Sequence, residues 1–205
     1  PVTVLDLGNS GTGARLLLGL LASHSFSAVV TGDASLSRRP MERVTAPLTL
    51  MGASFESRQG GFMPITVRGA DDPLAMVYHS PVASAQVKSA ILLAGLNARG
   101  ATTVIEPAPT RDHTETMLRH FGAEVVTQAV DGNPSASSVT VIGLPEMRGQ
   151  TVIVPGDPSS AAFLVVAALI TENSDITIQN VGLNPLRTGL YDTLADMGGD
   201  ISIMN

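Results

Sequence analysis

The chain has 205 residues, 44% of them apolar but only 3% aromatic, with 12 basic and 18 acidic side chains and a net charge of −6. That balance argues against nucleic acid as the main partner, because a phosphate backbone needs clustered Lys and Arg; a small anion needs only a few aimed cations. There is no cysteine, which excludes disulfide and thiolate chemistry. The longest unbroken apolar run, Ala161 to Ile170, is about half a membrane span. The reading is of a soluble, cytoplasmic protein with an aliphatic core and no membrane partner.

Along the chain, Val4 to Leu7 reads as a strand entering a loop with glycines at 8, 11 and 13, and an apolar helix follows from Gly13 to Ser23. Such a loop lets a ligand approach the backbone, and the helix start behind it offers free N–H groups and a positive dipole end. Together they form a candidate site for a phosphate or carboxylate, or no more than a tight turn. A strand at 27–31, a polar loop ending in Arg39 and a helix opened by Pro40 come next. Pro47 is expected to kink or split that helix, and Gly52 to stop it. Strands at 53–57 and 64–68 close the unit around a Gly60-Gly61 turn.

The pattern then repeats. Strand 76–79, loop 80–86, apolar helix 87–96, strand 101–105, a loop ending in Arg111, helix 112–120 with Met117, Leu118 and Phe121 inward, a stop at Gly122, and strands at 123–126 and 138–142 form a second unit. A third reads as strand 151–154, loop 155–160, apolar helix 161–170, strand 175–179, a loop ending in Arg187, and a helix with Leu186, Leu190, Leu194 and Met197 on one face, stopped by Gly198. Spacing supports three copies. The loop arginines at 39, 111 and 187 lie 72 and 76 residues apart, the stop glycines at 52, 122 and 198 lie 70 and 76 apart, and Arg15 and Lys88 lie 73 apart at one place in their helices. The first helix of each unit, apolar all round, is expected to be buried, and the second to lie at the surface. Pro1 leads into a strand and Ile201 to Met204 is strand-like, so the chain reads as cut from something longer.

Four constellations carry candidate chemistry. Arg39 and the opening loop both lie beyond the C-terminal ends of their strands, where α/β ligand sites gather; Arg39 is either an anion clamp or a solvated arginine. Ser84 either caps its helix or meets a ligand, and Gln86 sits in the first turn of a buried helix, where its amide wants partners. Arg111 is a second anion candidate; His113 and Glu115, two apart on a helix, point away from each other and so argue against a metal. Asp112 and Glu115 read as serving the helix N-terminus. Asp157 in Gly156-Asp157-Pro158-Ser159-Ser160 reads as a cap and turn, and its loop as a domain boundary. A dinucleotide fold is disfavoured, because the glycines run G-x-x-G-x-G rather than G-x-G-x-x-G.

Leu7-Gly8-Asn9-Ser10-Gly11-Thr12, Arg39-Pro40-Met41, Ser84-Ala85-Gln86-Val87-Lys88-Ser89, Thr110-Arg111-Asp112-His113-Thr114-Glu115 and Pro155-Gly156-Asp157-Pro158-Ser159-Ser160 resemble the 5-enolpyruvylshikimate-3-phosphate synthases, in the bacterial class with Ser-Ala-Gln. The resemblance implies an α/β enolpyruvyl transferase fold of tandem strand–helix–strand–helix–strand–strand repeats, three of six present, with residues 1–153 as two repeats of the first domain and 154–205 as the first repeat of the second. It implies transfer of the enolpyruvyl group of phosphoenolpyruvate to the 5-hydroxyl of shikimate 3-phosphate, with release of phosphate, in aromatic amino acid biosynthesis. No cofactor or metal is implied, and the herbicide glyphosate is the inhibitor of the phosphoenolpyruvate site. Gly11, Arg39 and Gln86 match the family's phosphoenolpyruvate contacts; Ser84, Ala85, Gln86 and Arg111 match its shikimate 3-phosphate contacts. Arg187 receives no role. The family's catalytic groups are expected outside this chain, which is therefore expected to be an inactive fragment. The alternatives are the related transferase acting on UDP-N-acetylglucosamine, whose characteristic cysteine is missing here, and a non-catalytic repeat module.

Overall fold

The computed structural model describes residues 3–204; Pro1, read above as leading into a strand, lies outside the described residues, as do Val2 and Asn205. The chain divides into two compact units, Pro1–Gly149 and Gln150–Asn205.

The first unit is one motif built twice. Its first copy comprises β1 (Thr3–Asp6), α1 (Gly11–Ala22), β2 (Ser27–Thr31), α2 (Glu42–Leu50), β3 (Ser54–Arg58) and β4 (Phe62–Arg68). The second comprises β5 (Val77–His79), α3 (Ala85–Gly95), β6 (Ala101–Glu106), α4 (His113–His120), β7 (Val125–Val130) and β8 (Asn133–Ile142). Each copy makes a four-stranded sheet of the same order, β1-β2-β4-β3 and β5-β6-β8-β7. In each the first two strands are parallel, with Thr3 opposite Ala28 and Val77 opposite Thr103, and the last two pair antiparallel. A helix makes each parallel crossover, as the geometry of parallel strands requires.

Burial follows the sheet period of two. Met63, Ile65 and Val67 of β4 point inward, as do Thr102, Val104 and Glu106 of β6. The apolar helices α1 and α3 lie against each other so closely that a methyl group on Gly19 would overlap the backbone of Ala90. Leu18, Ile91 and Leu92 are fully buried, each contributing about 1.5–3 kcal/mol of transfer free energy. Gly52 and Gly122 end their helices with φ of 102° and 96°, the left-handed conformation that glycine adopts without strain.

Four local expectations change here. Helix α1 starts at Gly11, because Ser10 accepts the Gly13 N–H at 3.1 Å and caps it. Pro40 precedes α2 rather than opening it, and α2 runs unbroken through Pro47. One backbone bond is forfeited there, but the proline ring is buried. In α4 Met117 is exposed; Thr114, Glu115 and Leu118 face inward.

The second unit holds α5 (Pro158–Leu169), α6 (Gly189–Asp196) and a single parallel bridge between Gly156 and Val181. The strands expected at 151–154, 175–179 and 201–204 are not strands. A β-ladder needs partners, and among the described residues no antiparallel segment plays the part of β4 or β8 here. Helix α5, expected to be buried, leaves Phe163 80% exposed and Leu164 and Ile170 bare. The expected face of α6 also shifts. Leu186 precedes the helix, Leu190 and Met197 are exposed, and Tyr191 turns inward to donate to the Pro158 carbonyl at 2.9 Å.

Candidate functional site

The site is assembled at the C-terminal ends of β1 and β2 and the N-terminal ends of α1 and α3. Two backbone bonds lock the loops after β1 and β2 together, Leu7 N–H to Thr31 O at 2.9 Å and Asp33 N–H to Gly8 O at 2.8 Å. Gly8 turns there with φ 54°. Asn9 reaches across, its amide donating to Asp33 Oδ2 at 2.7 Å and its Oδ1 accepting from Arg39 Nη2 at 3.0 Å. Arg39 is further steadied by Ser35 Oγ at 3.4 Å. The Leu36 N–H, the Asn9 amide and the nearby Arg39 hold the Asp33 carboxyl below the usual carboxylate range, the first of these most strongly.

Gly11, at the first position of α1, is buried beneath this arginine, and a Cβ there would stand 2.8 Å from Arg39 Nη1. The guanidinium thus occupies the space that a side chain would fill. Arg15, one turn on, donates to the Gly11 carbonyl at 3.1 Å. Burial, then Arg43 and Arg39, lower its pKa, so like charges crowd this helix start. In an acidic chain such a concentration of cations is an anion-attracting spot.

The second copy supplies the other wall. Ser84 caps α3, its Oγ accepting the Val87 N–H at 3.5 Å, a long bond. Ala85 is the first helical residue. Gln86, 74 residues from Thr12 in sequence, donates to Thr12 Oγ1 at 2.7 Å and so ties the two helix starts together. Both present unpaired N–H groups and the positive ends of their dipoles on one side. Arg111, at the end of the loop after β6, is partly exposed and has no side-chain partner among the described residues. Gly11 and Arg39 therefore meet directly, and Gln86 is joined to them through Thr12, the residue after Gly11, with Ser84 and Ala85 in the same turn as Gln86; Arg111 belongs to the second copy's equivalent of the Arg39 loop.

Sequence reasoning missed the group beneath this surface. Lys88 is only 2% exposed and lies 2.6 Å from Glu115 Oε1 and 2.9 Å from Glu106 Oε2. Glu115 therefore does not serve the helix N-terminus; it is buried against a lysine. Two signals were there to be read, a lone lysine within an apolar helix and a glutamate on the inward parity of β6. His113 is exposed while Glu115 is buried, and among the described residues no three His, Cys, Asp or Glu side chains gather as metal ligands. In the second unit Arg187 donates to Asp157 Oδ1 at 2.7 Å and to Ser159 Oγ, while Asp157 also caps α5. A concavity of about 300 Å³ lies elsewhere, near Ser23, His24 and Asn97 after α1, away from all these groups.

Fold and site together define a repeat α/β protein whose paired helix starts and loop arginines have the chemistry to hold a small anion. The family model for EPSP synthase (3-phosphoshikimate 1-carboxyvinyltransferase) matches residues 1–205, and the chain belongs to that family. It is similar to the 3-phosphoshikimate 1-carboxyvinyltransferases of Acidiphilium cryptum, 61% identical over the whole chain and 45% of the relative, and of Paramagnetospirillum magneticum, 61% identical over 98% of the chain and 45% of the relative. The solved EPSP synthase of Acinetobacter baumannii superposes with a TM-score of 0.83 at 48% identity, covering the whole chain and 45% of that structure. The chain thus spans about 45% of the length of the relatives it matches. These comparisons do not favour the UDP-N-acetylglucosamine transferase alternative. Among the described residues no helix is long and apolar enough to cross a membrane.

Proposed function

We propose that this chain supplies part of the substrate site of an enzyme that transfers the enolpyruvyl group of phosphoenolpyruvate to the 5-hydroxyl of shikimate 3-phosphate. In the net reaction the hydroxyl oxygen bonds to C2 of phosphoenolpyruvate, the bond from C2 to the phosphate oxygen breaks, and the hydroxyl proton leaves with the phosphate. Both substrates are small anions, and the observation that carries the reading is the Gln86–Thr12 bond. It joins the helix start beside Arg39 to the one that opens at Ser84.

Gly11, Arg39 and Gln86 bind phosphoenolpyruvate. Arg39 is fixed by Asn9 and Ser35 before any ligand arrives, so little ordering is required on binding. Ser84, Ala85, Gln86 and Arg111 bind shikimate 3-phosphate, with the unpaired Arg111 guanidinium available to a phosphate. These groups hold and orient the reactants, which lowers the entropic cost of their meeting. None of these residues is assigned a proton transfer, and the activity of this chain alone is expected to be small. Residues 1–153 correspond to two repeats of the first domain and 154–205 to the first repeat of the second. Glyphosate competes for the Arg39 side of the site, and the protein works in the cytoplasm without a cofactor.

Calorimetric titration with shikimate 3-phosphate, with and without phosphoenolpyruvate, tests this reading. Binding in the millimolar range, roughly 4 kcal/mol, is expected, and its loss in both Gln86→Ala and Arg111→Ala. A folded chain that binds neither substrate, or variants that bind as well as the parent, would overturn it.

A further inference from the structure

We infer that Lys88, Glu106 and Glu115 form a buried clamp that positions the Thr110–Arg111 loop, and through it the Arg111 guanidinium; the inference rests on the substrate reading given to Arg111 above. The clamp joins three elements. Lys88 comes from α3, two residues after Gln86; Glu106 ends β6, and Glu115 lies in the first turn of α4. Lys88 Nζ also donates to the Thr110 carbonyl at 3.4 Å, and Thr110 Oγ1 donates to Glu106 Oε1 at 2.6 Å. The loop between β6 and α4 is thereby gripped at its start by Glu106 and just before Arg111 by Thr110. A buried Ser89–Thr114 hydroxyl bond of 2.7 Å fixes α3 to α4 beside it.

Stability alone does not explain this arrangement. Two carboxylates face one ammonium, all three side chains nearly sealed from solvent, and Glu115 Oε2 has no hydrogen-bond partner among the described residues. Well-packed apolar residues in place of such a group are commonly as stable or more so. What the charges add is a directed hold on one carbonyl and one hydroxyl, both of Thr110.

Comparison of the repeats shows what that hold replaces. In the first copy Arg39 is held by its own guanidinium, on Asn9 of the preceding loop. In the second unit Arg187 is held in the same way, on Asp157 and Ser159. In the corresponding loop of the second copy, Val82 and Ala83 are apolar, and the two serines bond locally, Ser80 donating to the Val82 carbonyl at 2.7 Å and Ser84 accepting the Val87 N–H at 3.5 Å. Arg111 has no side-chain partner among the described residues, so its placement comes through the backbone of Thr110. Lys88 is accordingly a positioning residue, and the guanidinium it serves stays unpaired for a ligand. Arg15, which matches Lys88 in spacing, is not buried and bonds within its own helix turn.

The test combines the apolar triple variant Lys88→Met/Glu106→Leu/Glu115→Met with the milder Glu115→Gln, each made in the full chain. The triple variant is expected to melt near the parent temperature, while the backbone order parameter of Arg111 falls from about 0.85 toward 0.6 or below. Shikimate 3-phosphate binding is expected to weaken about tenfold, with Arg111→Ala adding little on top of it, and phosphoenolpyruvate binding to hold. Glu115→Gln is expected to move the same readouts less far, and decides the matter if the triple variant does not fold. A folded variant with an unchanged Arg111 order parameter and unchanged binding overturns the clamp as a positioning device. If the parent chain fails to bind shikimate 3-phosphate, the substrate reading of Arg111 fails, and the order parameter alone still decides whether the clamp fixes the loop.

Discussion

The apolar helices α1 and α3 of the first unit and α5 of the second carry nearly the same sequence pattern, yet they end in different surroundings. Each of the first two is covered by the other and by a four-stranded sheet, whereas α5 presents Phe163, Leu164 and Ile170 to solvent and has no sheet. A polar cap and a run of helix-forming residues suffice to make the local element, since Ser10, Ser84 and Asp157 each bond an N–H of the first turn. Burial is a tertiary property. It requires a second copy of the motif within reach, and the close approach of Gly19 to Ala90 records where that copy lies.

The contrast is sharpest where the two helices touch. Gly19→Val would force a branched side chain into the Ala90 backbone and should cost about 3 kcal/mol or more by denaturant unfolding of the first unit. Leu18→Ala, at a fully buried position, should cost about 2–5 kcal/mol. Gly11→Ala is smaller in stability and larger in function. Its methyl displaces the Arg39 guanidinium, so phosphoenolpyruvate binding should fall about tenfold, and a full loss of fold would contradict the account. Asp33 supplies a pH-dependent effect of modest size. Its lowered pKa means that the bonds to Leu36 and Asn9 favour the carboxylate, so their contribution is present above the ordinary carboxylate range and is lost as pH falls through the folded value. Asp33→Asn should therefore differ from the parent in stability at neutral pH and converge with it in acid. Phe163→Ser, on the bare face of α5, should change stability by no more than about 0.5 kcal/mol; a large loss would show that face to be covered.

Much of this was legible in the chain itself. The stop glycines, the loop arginines and the apolar helices recur at steps of 70–76 residues, and the two sheets of identical order are the structural form of that repeat. Gly11, Arg39, Ser84 and Gln86 were singled out because loops beyond strand ends and helix starts are where free N–H groups and cations meet anions. What was not legible depended on partners distant in sequence. The Gln86–Thr12 bond joins residues 74 apart, and Glu115 was given to its own helix because its lysine lies on another element. The expected strands of the third repeat failed for the same reason, since period-two patterning cannot supply an antiparallel neighbour.

The central claim is that the starts of α1 and α3 hold two anionic ligands that meet at Gln86, one on the Arg39 side and one on the Arg111 side. Nuclear magnetic resonance titration with shikimate 3-phosphate tests it most directly. The account predicts shifts confined to the amides of residues 84–86 and 110–112, the Gln86 side-chain amide and the Arg111 guanidinium, with Arg39 joining when phosphoenolpyruvate is added. Shifts gathered instead around Ser23, His24 and Asn97, or none in a folded chain at millimolar ligand, would contradict it.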